Sequence, residues 1–263
     1  DALPISWDAP TEKTYETGLD RGVLYLQDGT AVVWNGLTAV TESSSRSTTP
    51  LYFDGKKFKD VVNLDEPKSK LKAFTYPDEF LDLEGYSEYV EGFSIAQQRN
   101  KKFSLSYRTR VGDGTTNDPI GYKIHILYDL IAIPSDKPYT TTKASTDLVE
   151  FEWDLIGTAK KIPGYAPTNT IVADTRTLDS TVVSWLEDKL YGTVGSDPDL
   201  PTIEEVMAQI CLAYTLDVVD NGNGTFDITG TSLLGLTATS TEFTINNPNA
   251  VYVTETVFSV SDP

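Results

Sequence analysis

The clearest fold signal in the sequence is the stretch Leu148-Val149-Glu150-Phe151-Glu152-Trp153-Asp154-Leu155-Ile156. From Val149 onward, apolar and acidic side chains alternate one by one, as they do in a strand with one buried face and one wet face. An amphipathic helix would instead repeat its apolar residues every three or four positions. This stretch therefore predicts a half-buried β-strand.

The sequence on either side predicts more strands and two tight hairpins. Asp28-Gly29 separates the apolar runs 22–27 and 31–34, and Asp54-Gly55 separates 51–53 from 56–62. Asp-Gly pairs favour the two-residue turns that join antiparallel strands. Further strands are predicted at residues 37–41, 68–76, 93–98, 103–111, 122–133, 225–229, 242–245 and 250–260. The fold class that follows is mainly antiparallel β.

Two helices are predicted late in the chain. In residues 179–191 the apolar side chains recur at helical spacing, with Asp179 as N-cap and Gly192 as the stop signal. The second helix is predicted at 202–212, where Thr202-Ile203-Glu204-Glu205 matches a capping box. The predicted domains are an irregular N-terminal arm at 1–20, with regular structure starting at Arg21, a β domain with both helices at 21–212, and an acidic β segment at 213–263.

The net charge excludes one class of function. The chain has 39 Asp and Glu against 21 Lys and Arg, a formal charge of -18. A protein that clamps nucleic acid needs a surplus of cations to displace the counterions of the phosphates. Residues 177–263 hold 13 of the acidic residues and only one basic residue, Lys189, which leaves them at −12. Such a block is typical of a solvated surface, and it also suits a surface that repels polyanions.

Cysteine and histidine are too scarce for most catalytic and metal chemistry. Cys211 and His125 are the single residues of their types, which excludes an intrachain disulfide, a cysteine zinc site and a two-histidine metal site. We interpret His125 as a structural histidine with satisfied hydrogen bonds and Cys211 as a small core residue. No run approaches the ~18 apolar residues of a membrane helix, and no membrane partner is expected.

Two loops carry side chains that could hold a cation. Residues 220–225 interleave Asp and Asn as calcium loops do, but Gly222 takes the place of a ligand and no Glu stands at the twelfth position. Residues 112–119 offer Asp113, Asn117 and Asp118. A tight turn and a solvated loop are the favoured readings. The sequence therefore predicts no enzyme, with no catalytic, cofactor-binding or metal residues.

Several segments together resemble a known family. They are Tyr15-Glu16-Thr17-Gly18-Leu19-Asp20-Arg21-Gly22-Val23-Leu24-Tyr25, Val33-Trp34-Asn35-Gly36-Leu37, Phe74-Thr75-Tyr76-Pro77-Asp78-Glu79-Phe80, Phe103-Ser104-Leu105-Ser106-Tyr107-Arg108-Thr109-Arg110, Gly121-Tyr122-Lys123-Ile124-His125, and residues 186–193 and 199–201. In this order they resemble the tail tube (major tail) proteins of long-tailed phages of actinobacteria, over residues 15–212. No single motif among them carries a mechanism, so the resemblance rests on the ensemble.

The resemblance implies a structural virion protein whose fold is an antiparallel β-sandwich or barrel-like tube module. Members of this family form hexameric rings that stack into a hollow tube, through which genomic DNA passes without specific binding. The implied partners are copies of the same chain and other tail proteins, namely the tape measure, the terminator and the distal tail protein. The implied localisation is the phage tail, assembled in the host cytoplasm, with no cofactor.

A stack of rings needs complementary surfaces on one subunit, because its contacts are head-to-tail. Our candidates are the arm 1–20 and the segment 41–62, both of which could add strands to a neighbour's sheet edge. The acidic residues 177–263 would suit a lumen that repels phosphate, or equally an exterior surface.

Two alternatives stay open at this point. One is a distal-tail or other minor tail protein of the same virion, which copy number would separate from a tube subunit. The other is a cell-wall carbohydrate-binding module, since aromatic side chains on strands can stack on sugars as well as fill a core.

Overall fold

The computed structural model describes residues 13–43, 46–64, 66–113, 118–135, 137, 141, 148–162, 164–213, 216–220, 226–230, 236–239 and 242–245. Every strand pair in this part of the chain is antiparallel, and strands greatly outnumber helices, so the predicted mainly β class is confirmed. The chain divides into two compact units, Asp1–Lys160 with Pro167–Pro201 and Lys161–Ala166 with Thr202–Pro263. The functional domain limits at residues 20 and 212 stay a prediction.

The first unit contains one large sheet and two separate hairpins. Its elements are β1 (Thr14–Leu26), β2 (Ala31–Trp34), β3 (Leu37–Ser43), β4 (Arg46–Phe53), β5 (Lys56–Leu64), β6 (Lys68–Ala73), α1 (Glu79–Leu83), β7 (Ser87–Val90), β8 (Phe93–Ile95), β9 (Phe103–Asp113), β10 (Gly121–Pro134), β11 (Phe151–Gly157), β12 (Thr170–Asp174) and α2 (Ser180–Tyr191). The large sheet has the order β2-β1-β9-β10-β11-β6-β3, and β12 also pairs with β10. Its two ends, β2 and β3, do not pair with each other, so the described strands form an open sheet rather than a closed barrel.

One face of the large sheet buries an aromatic core. Trp34, Phe80 and Trp153 form its centre, with ring centroids 4.5 Å apart for Trp34 and Phe80 and 5.1 Å apart for Phe80 and Trp153. The short helix α1 supplies Phe80 and Leu83 to this face. In β11, Trp153 and Leu155 point into the core while Glu152 and Asp154 face Lys70 on the other side. The strand predicted from the alternation in this stretch is confirmed.

Helix α2 covers the opposite face of the sheet. Its residues Val182, Leu186 and Leu190 are fully buried. The Tyr25 hydroxyl donates to the carbonyl of Leu190 at 2.8 Å, and Tyr25 alternates with the core residue Leu24 along β1. The caps of α2 are those predicted. Its N-cap Asp179 accepts from the backbone N–H of Thr181 at 2.8 Å, and Gly192 ends the helix at φ 75°.

The prediction that regular structure starts at Arg21 is wrong, because β1 begins at Thr14. Two irregularities in its pairing with β9, between Thr17 and Leu19 and between Asp20 and Val23, interrupt the alternation of side chains. Gly18 at φ 69° and Arg21 at φ 51° mark these bulges. The first half of the strand therefore does not show the two-residue alternation of apolar and polar side chains by which strands are predicted. Residues 1–12 of the predicted arm lie outside the described residues.

The second unit contains a capped helix and two hairpins. Its elements are α3 (Ile203–Ala213), β13 (Leu216–Asp220), β14 (Phe226–Gly230), β15 (Leu236–Thr239) and β16 (Glu242–Ile245). The predicted capping box is confirmed, since Thr202 N–H donates to Glu205 Oε2 at 2.8 Å and Glu205 N–H donates to Thr202 Oγ1 at 3.2 Å. The strand predicted at 250–260 lies outside the described residues.

Candidate assembly surface

Two hairpins of the first unit form sheets of their own. We name residues 46–64, which make up β4 and β5, the basic hairpin, and residues 87–95, which include β7 and β8, the acidic hairpin. In each, the two strands pair with one another and join no other described strand. A lone two-stranded sheet is at best marginally stable in water. Neither hairpin is therefore held by hydrogen bonds to a described strand of the large sheet.

The basic hairpin turns where the sequence predicted it. Phe53 pairs with Lys56, and the two residues between them, Asp54 and Gly55, have φ angles of 49° and 75°. Positive φ at both positions is the type I′ geometry that matches the twist of the strands. A register shift after Leu51 then gives β5 one extra residue. The predicted hairpin is confirmed.

Aromatic side chains on the basic hairpin face solvent. Leu51, Tyr52, Phe53 and Phe58 are between 36% and 63% exposed. The rings of Phe53 and Phe58 lie 4.8 Å apart between centroids, and Leu51 shares a face with Phe53 by alternation. These three side chains form an exposed apolar face, which in a soluble protein marks an interaction site.

The basic hairpin carries more cations than carboxylates. The basic hairpin carries Arg46, Lys56, Lys57 and Lys59 against Asp54 and Asp60, a net charge of +2 in a chain of -18. Lys57 pairs with Asp60 at 2.8 Å within the hairpin. In the part of the chain that the structure describes, Lys56 and Lys59 have no carboxylate within 4 Å. Their charges are thus available to a partner.

The acidic hairpin also exposes apolar side chains, and its net charge is negative. Tyr89, Val90, Phe93 and Ile95 are between 45% and 80% exposed. Its two ionisable carboxylates are Glu88 and Glu91, and no cation lies within residues 87–95. Glu88 accepts from the backbone N–H of Gly92 at 3.0 Å, which fixes the turn. Among the described residues, Glu91 has no ion-pair partner.

The acidic hairpin is not predicted by the sequence pattern. The strand predicted in this region spans 93–98, whereas β8 ends at Ile95 and pairs with a strand at 87–90 that was not predicted. The signal present in the sequence is the Glu91-Gly92 pair between two short apolar runs. In the structure Gly92 adopts a positive φ of 80°. Four-residue strands are too short to show a period, so only this turn could have revealed the hairpin.

Among the described strands, those at both ends of the large sheet have one unpaired edge. β2 and β3 end the strand order, and β12 pairs with β10 alone. Val33 on β2 and Val172 on β12 are at least half exposed. Edges of this kind can accept a strand from another copy.

His125 holds a structural position inside the sheet. Its Nε2 lies 3.0 Å from the Thr109 hydroxyl and its Nδ1 lies 3.1 Å from Glu42 Oε1. The imidazole stacks on the Tyr107 ring, and the Tyr107 hydroxyl also donates to Glu42. The hydrogen bond with His125 holds the pKa of Glu42 below its ordinary value. Both ring nitrogens have partners, as predicted for a structural histidine.

The structure also bears on Cys211 and on the two loops considered as cation sites. Cys211 is exposed, so its prediction as a core residue is wrong. The buried stripe of α3 contains Ile203 and Val206, and Cys211 lies five residues beyond Val206, on another side of the helix. Asp113 is buried and Asp118 exposed, whereas Asn117 and residues 221–225 lie outside the described residues. Within the described ranges, no cluster of three His, Cys, Asp or Glu side chains is placed to hold a metal ion.

Part of the acidic stretch 177–263 has structural partners within its own unit. Asp179 caps α2, Glu187 accepts from the Tyr122 hydroxyl at 2.9 Å, and Asp199 lies 3.3 Å from Lys189. In the second unit, Glu205 completes the capping box. These carboxylates are accounted for by local structure and need no external partner.

None of the described helices has the length and apolar character to cross a membrane.

Neither protein-family models nor curated proteins give a match to this chain. Solved structures similar to it include chains from three cryo-EM structures. A sheath-tube complex of an extracellular contractile injection system (PVC, extended state) has a TM-score of 0.30 at 11% identity, over 59% of this chain and 89% of that chain. The cap that terminates the tube of the anti-feeding prophage has 0.32 at 12%, over 66% and 97%. The sheath/tube terminator of the PVC system has 0.29 at 11%, over 65% and 98%. At these TM-scores the likeness decides nothing about function.

Proposed function

We propose that this chain is a structural, non-enzymatic subunit of a phage tail tube, which forms stacked hexameric rings around a channel that conducts DNA. The observation that carries the proposal is the pair of exposed apolar hairpins on a well-packed sheet. The segments that resemble tail tube proteins support it from the sequence. Its partners would be further copies of the chain, the tape measure, the terminator and the distal tail protein, all within the virion.

The exposed hairpins need a partner for a physical reason. Burying apolar surface contributes roughly 25 cal/mol per Å², and the side chains of both hairpins forgo that gain in the single chain. Packing against another copy would recover it and would hold each two-stranded sheet in place. Rings and ring stacks use head-to-tail contacts, which require two different surfaces on one subunit. Two distinct hairpins meet that requirement.

The charge of the chain agrees with passive transport of DNA. At -18 the protein has no cationic surplus with which to hold phosphates. A channel surface with low affinity for DNA lets the DNA slide, because each favourable contact with a phosphate would have to be broken during ejection. The described carboxylates at 179, 187, 199 and 205 serve local structure, so the proposal does not depend on their lining a lumen.

The first prediction concerns assembly. Purified wild-type protein is expected to form rings or tubes in negative-stain electron microscopy. Phe53→Ser/Phe58→Ser, which removes the apolar face of the basic hairpin, is expected to remain monomeric by analytical ultracentrifugation while its far-UV circular dichroism is unchanged. Both side chains are exposed in the single chain, so their loss does not open a cavity in the core.

The matched control is Leu148→Ser/Val194→Ser, which removes two exposed apolar side chains outside the hairpins. We expect this variant to assemble as the wild type does. Wild-type protein that stays monomeric at millimolar concentration, and is absent from the tubes of the virion, would refute the proposal. A copy number of about one ring per virion by quantitative mass spectrometry would instead favour the distal-tail alternative.

A further inference from the structure

We infer that the basic hairpin of one copy docks on the acidic hairpin of the next copy. The inference rests on the proposed function and adds the identity of the two surfaces that meet. Both surfaces belong to the same chain, so the contact is heterologous and its repetition produces a ring or a stack.

The apolar faces of the two hairpins are alike in size and chemistry. The basic hairpin presents Leu51, Phe53 and Phe58, and the acidic hairpin presents a second set, namely Tyr89, Val90, Phe93 and Ile95. The rings of Tyr89 and Phe93 lie 6.5 Å apart in an edge-to-face arrangement, and those of Phe53 and Phe58 lie 4.8 Å apart. Aromatic pairs of this kind are typical of the centre of an interface, where they supply most of the affinity.

The net charges of the two hairpins are complementary. The basic hairpin has a net charge of +2, and the acidic hairpin has −2 from Glu88 and Glu91. Lys56, Lys59 and Glu91 have no ion-pair partner among the described residues, so none of them must give up an existing pair to form a new one. Charges at the rim of an interface select the partner and its orientation rather than add much affinity. Here they disfavour a contact between two basic or two acidic hairpins.

Reciprocal charge reversal tests the inference. One variant is Lys56→Glu/Lys59→Glu and the other is Glu88→Gln/Glu91→Lys, in which the introduced glutamine keeps an acceptor oxygen for the Gly92 N–H that fixes the turn. Each alone places like charges at the contact, so we expect the protein concentration needed for assembly to rise by about tenfold or more. An equimolar mixture of the two is expected to assemble again, because the reversed basic hairpin of one variant meets the reversed acidic hairpin of the other.

Salt and a control variant complete the experiment. Since about 1 M salt screens charges beyond roughly 3 Å, each single variant is expected to regain assembly as salt is raised. Lys68→Glu/Lys161→Glu changes the net charge by the same amount as Lys56→Glu/Lys59→Glu, but at exposed positions outside both hairpins. This control should assemble as the wild type does. Circular dichroism and thermal unfolding confirm that each variant is folded.

The outcomes separate the inference from the proposed function. If wild type assembles, each variant fails alone and the mixture is rescued, the two hairpins are partners. If the wild type assembles but the mixture stays monomeric, or if both single variants assemble normally, the pairing is wrong and the tube function stands. If wild-type protein assembles under no condition and is absent from virion tubes, the proposed function fails as well.

Discussion

Glu84→Ala is expected to lower the free energy of unfolding by about 3–5 kcal/mol, which is among the largest effects a single substitution can have in this fold. The Glu84 carboxylate is completely buried. It accepts from Trp153 Nε1 at 2.6 Å and from Lys137 Nζ at 2.5 Å. Removing it leaves the indole N–H and the ammonium group of Lys137 without their acceptor in a region that water does not reach.

The lysine adds to this cost because it is itself largely buried. Its side chain is 15% exposed, and its ammonium group lies over the Tyr76 and Tyr86 rings at 5.6 and 5.1 Å. Burial opposes the charged form, but the hydrogen bond and the charge of Glu84 outweigh it and raise the pKa of Lys137. Without the carboxylate, the lysine must either stay charged and unpaired or move into solvent.

Two further variants make the test specific. Glu84→Gln keeps the volume and an acceptor oxygen for Trp153, so its loss of stability should be clearly smaller than that of Glu84→Ala. Glu150→Ala removes a glutamate that is 39% exposed and pairs with Lys72 at 3.4 Å, and it should change stability by less than about 1 kcal/mol. Urea unfolding followed by tryptophan fluorescence measures all three. A Glu84→Ala protein within 1 kcal/mol of wild type would contradict the account.

The features predicted correctly from the sequence are those fixed by neighbouring residues. The alternation in β11, the Asp54-Gly55 turn and the caps Asp179 and Thr202 each depend on residues at most a few positions apart. Local chemistry decides such features, because backbone conformation and capping hydrogen bonds form within one or two turns of chain.

The features that were missed depend on residues far apart in the chain. Glu84 looks like any other surface glutamate until Trp153, 69 positions away, is placed against it. The first half of β1 was missed because two bulges in its pairing with β9 interrupt the alternation of side chains. For residues 41–62 an assembly role was predicted from the resemblance and the composition, and it stays a proposal. The exposure of the apolar side chains of the acidic hairpin depends on the three-dimensional structure rather than on neighbouring residues.

Asp20→Asn is expected to reduce stability at pH 7 by about 2 kcal/mol and to remove part of the stability loss at acidic pH. Asp20 lies between two arginines of β9, with Oδ1 at 2.7 Å from Arg108 Nε and Oδ2 at 2.8 Å from Arg110 Nη2. The hydrogen bond from Arg108, joined by that from Arg110, outweighs burial and lowers the pKa of Asp20 from its ordinary 3.8.

The direction of the pH effect follows from this lowered pKa. Above pH 3.8 the carboxylate is charged in both states, and the arginines stabilise it only in the folded protein. As the pH falls through 3.8 and then through the lower folded pKa, the unfolded state takes up the proton first, so this stabilisation is lost. The difference between wild type and Asp20→Asn should therefore be largest at neutral pH and should shrink steadily below about pH 4.

Asp20 lies between the two irregularities of β1, and both of its arginines lie on the paired strand β9. Arg108 is 12% exposed, and its guanidinium lies 4.3 Å from the centre of the Tyr122 ring, so Asn at position 20 leaves a nearly buried cation with a weaker partner. Asp154→Asn is the matched control, because Asp154 is 55% exposed and pairs with Lys70 at 3.4 Å. Its unfolding curve should follow that of wild type from pH 7 to pH 3. If Asp20→Asn does the same, the contact between Asp20 and the two arginines does not hold the start of β1 on the sheet.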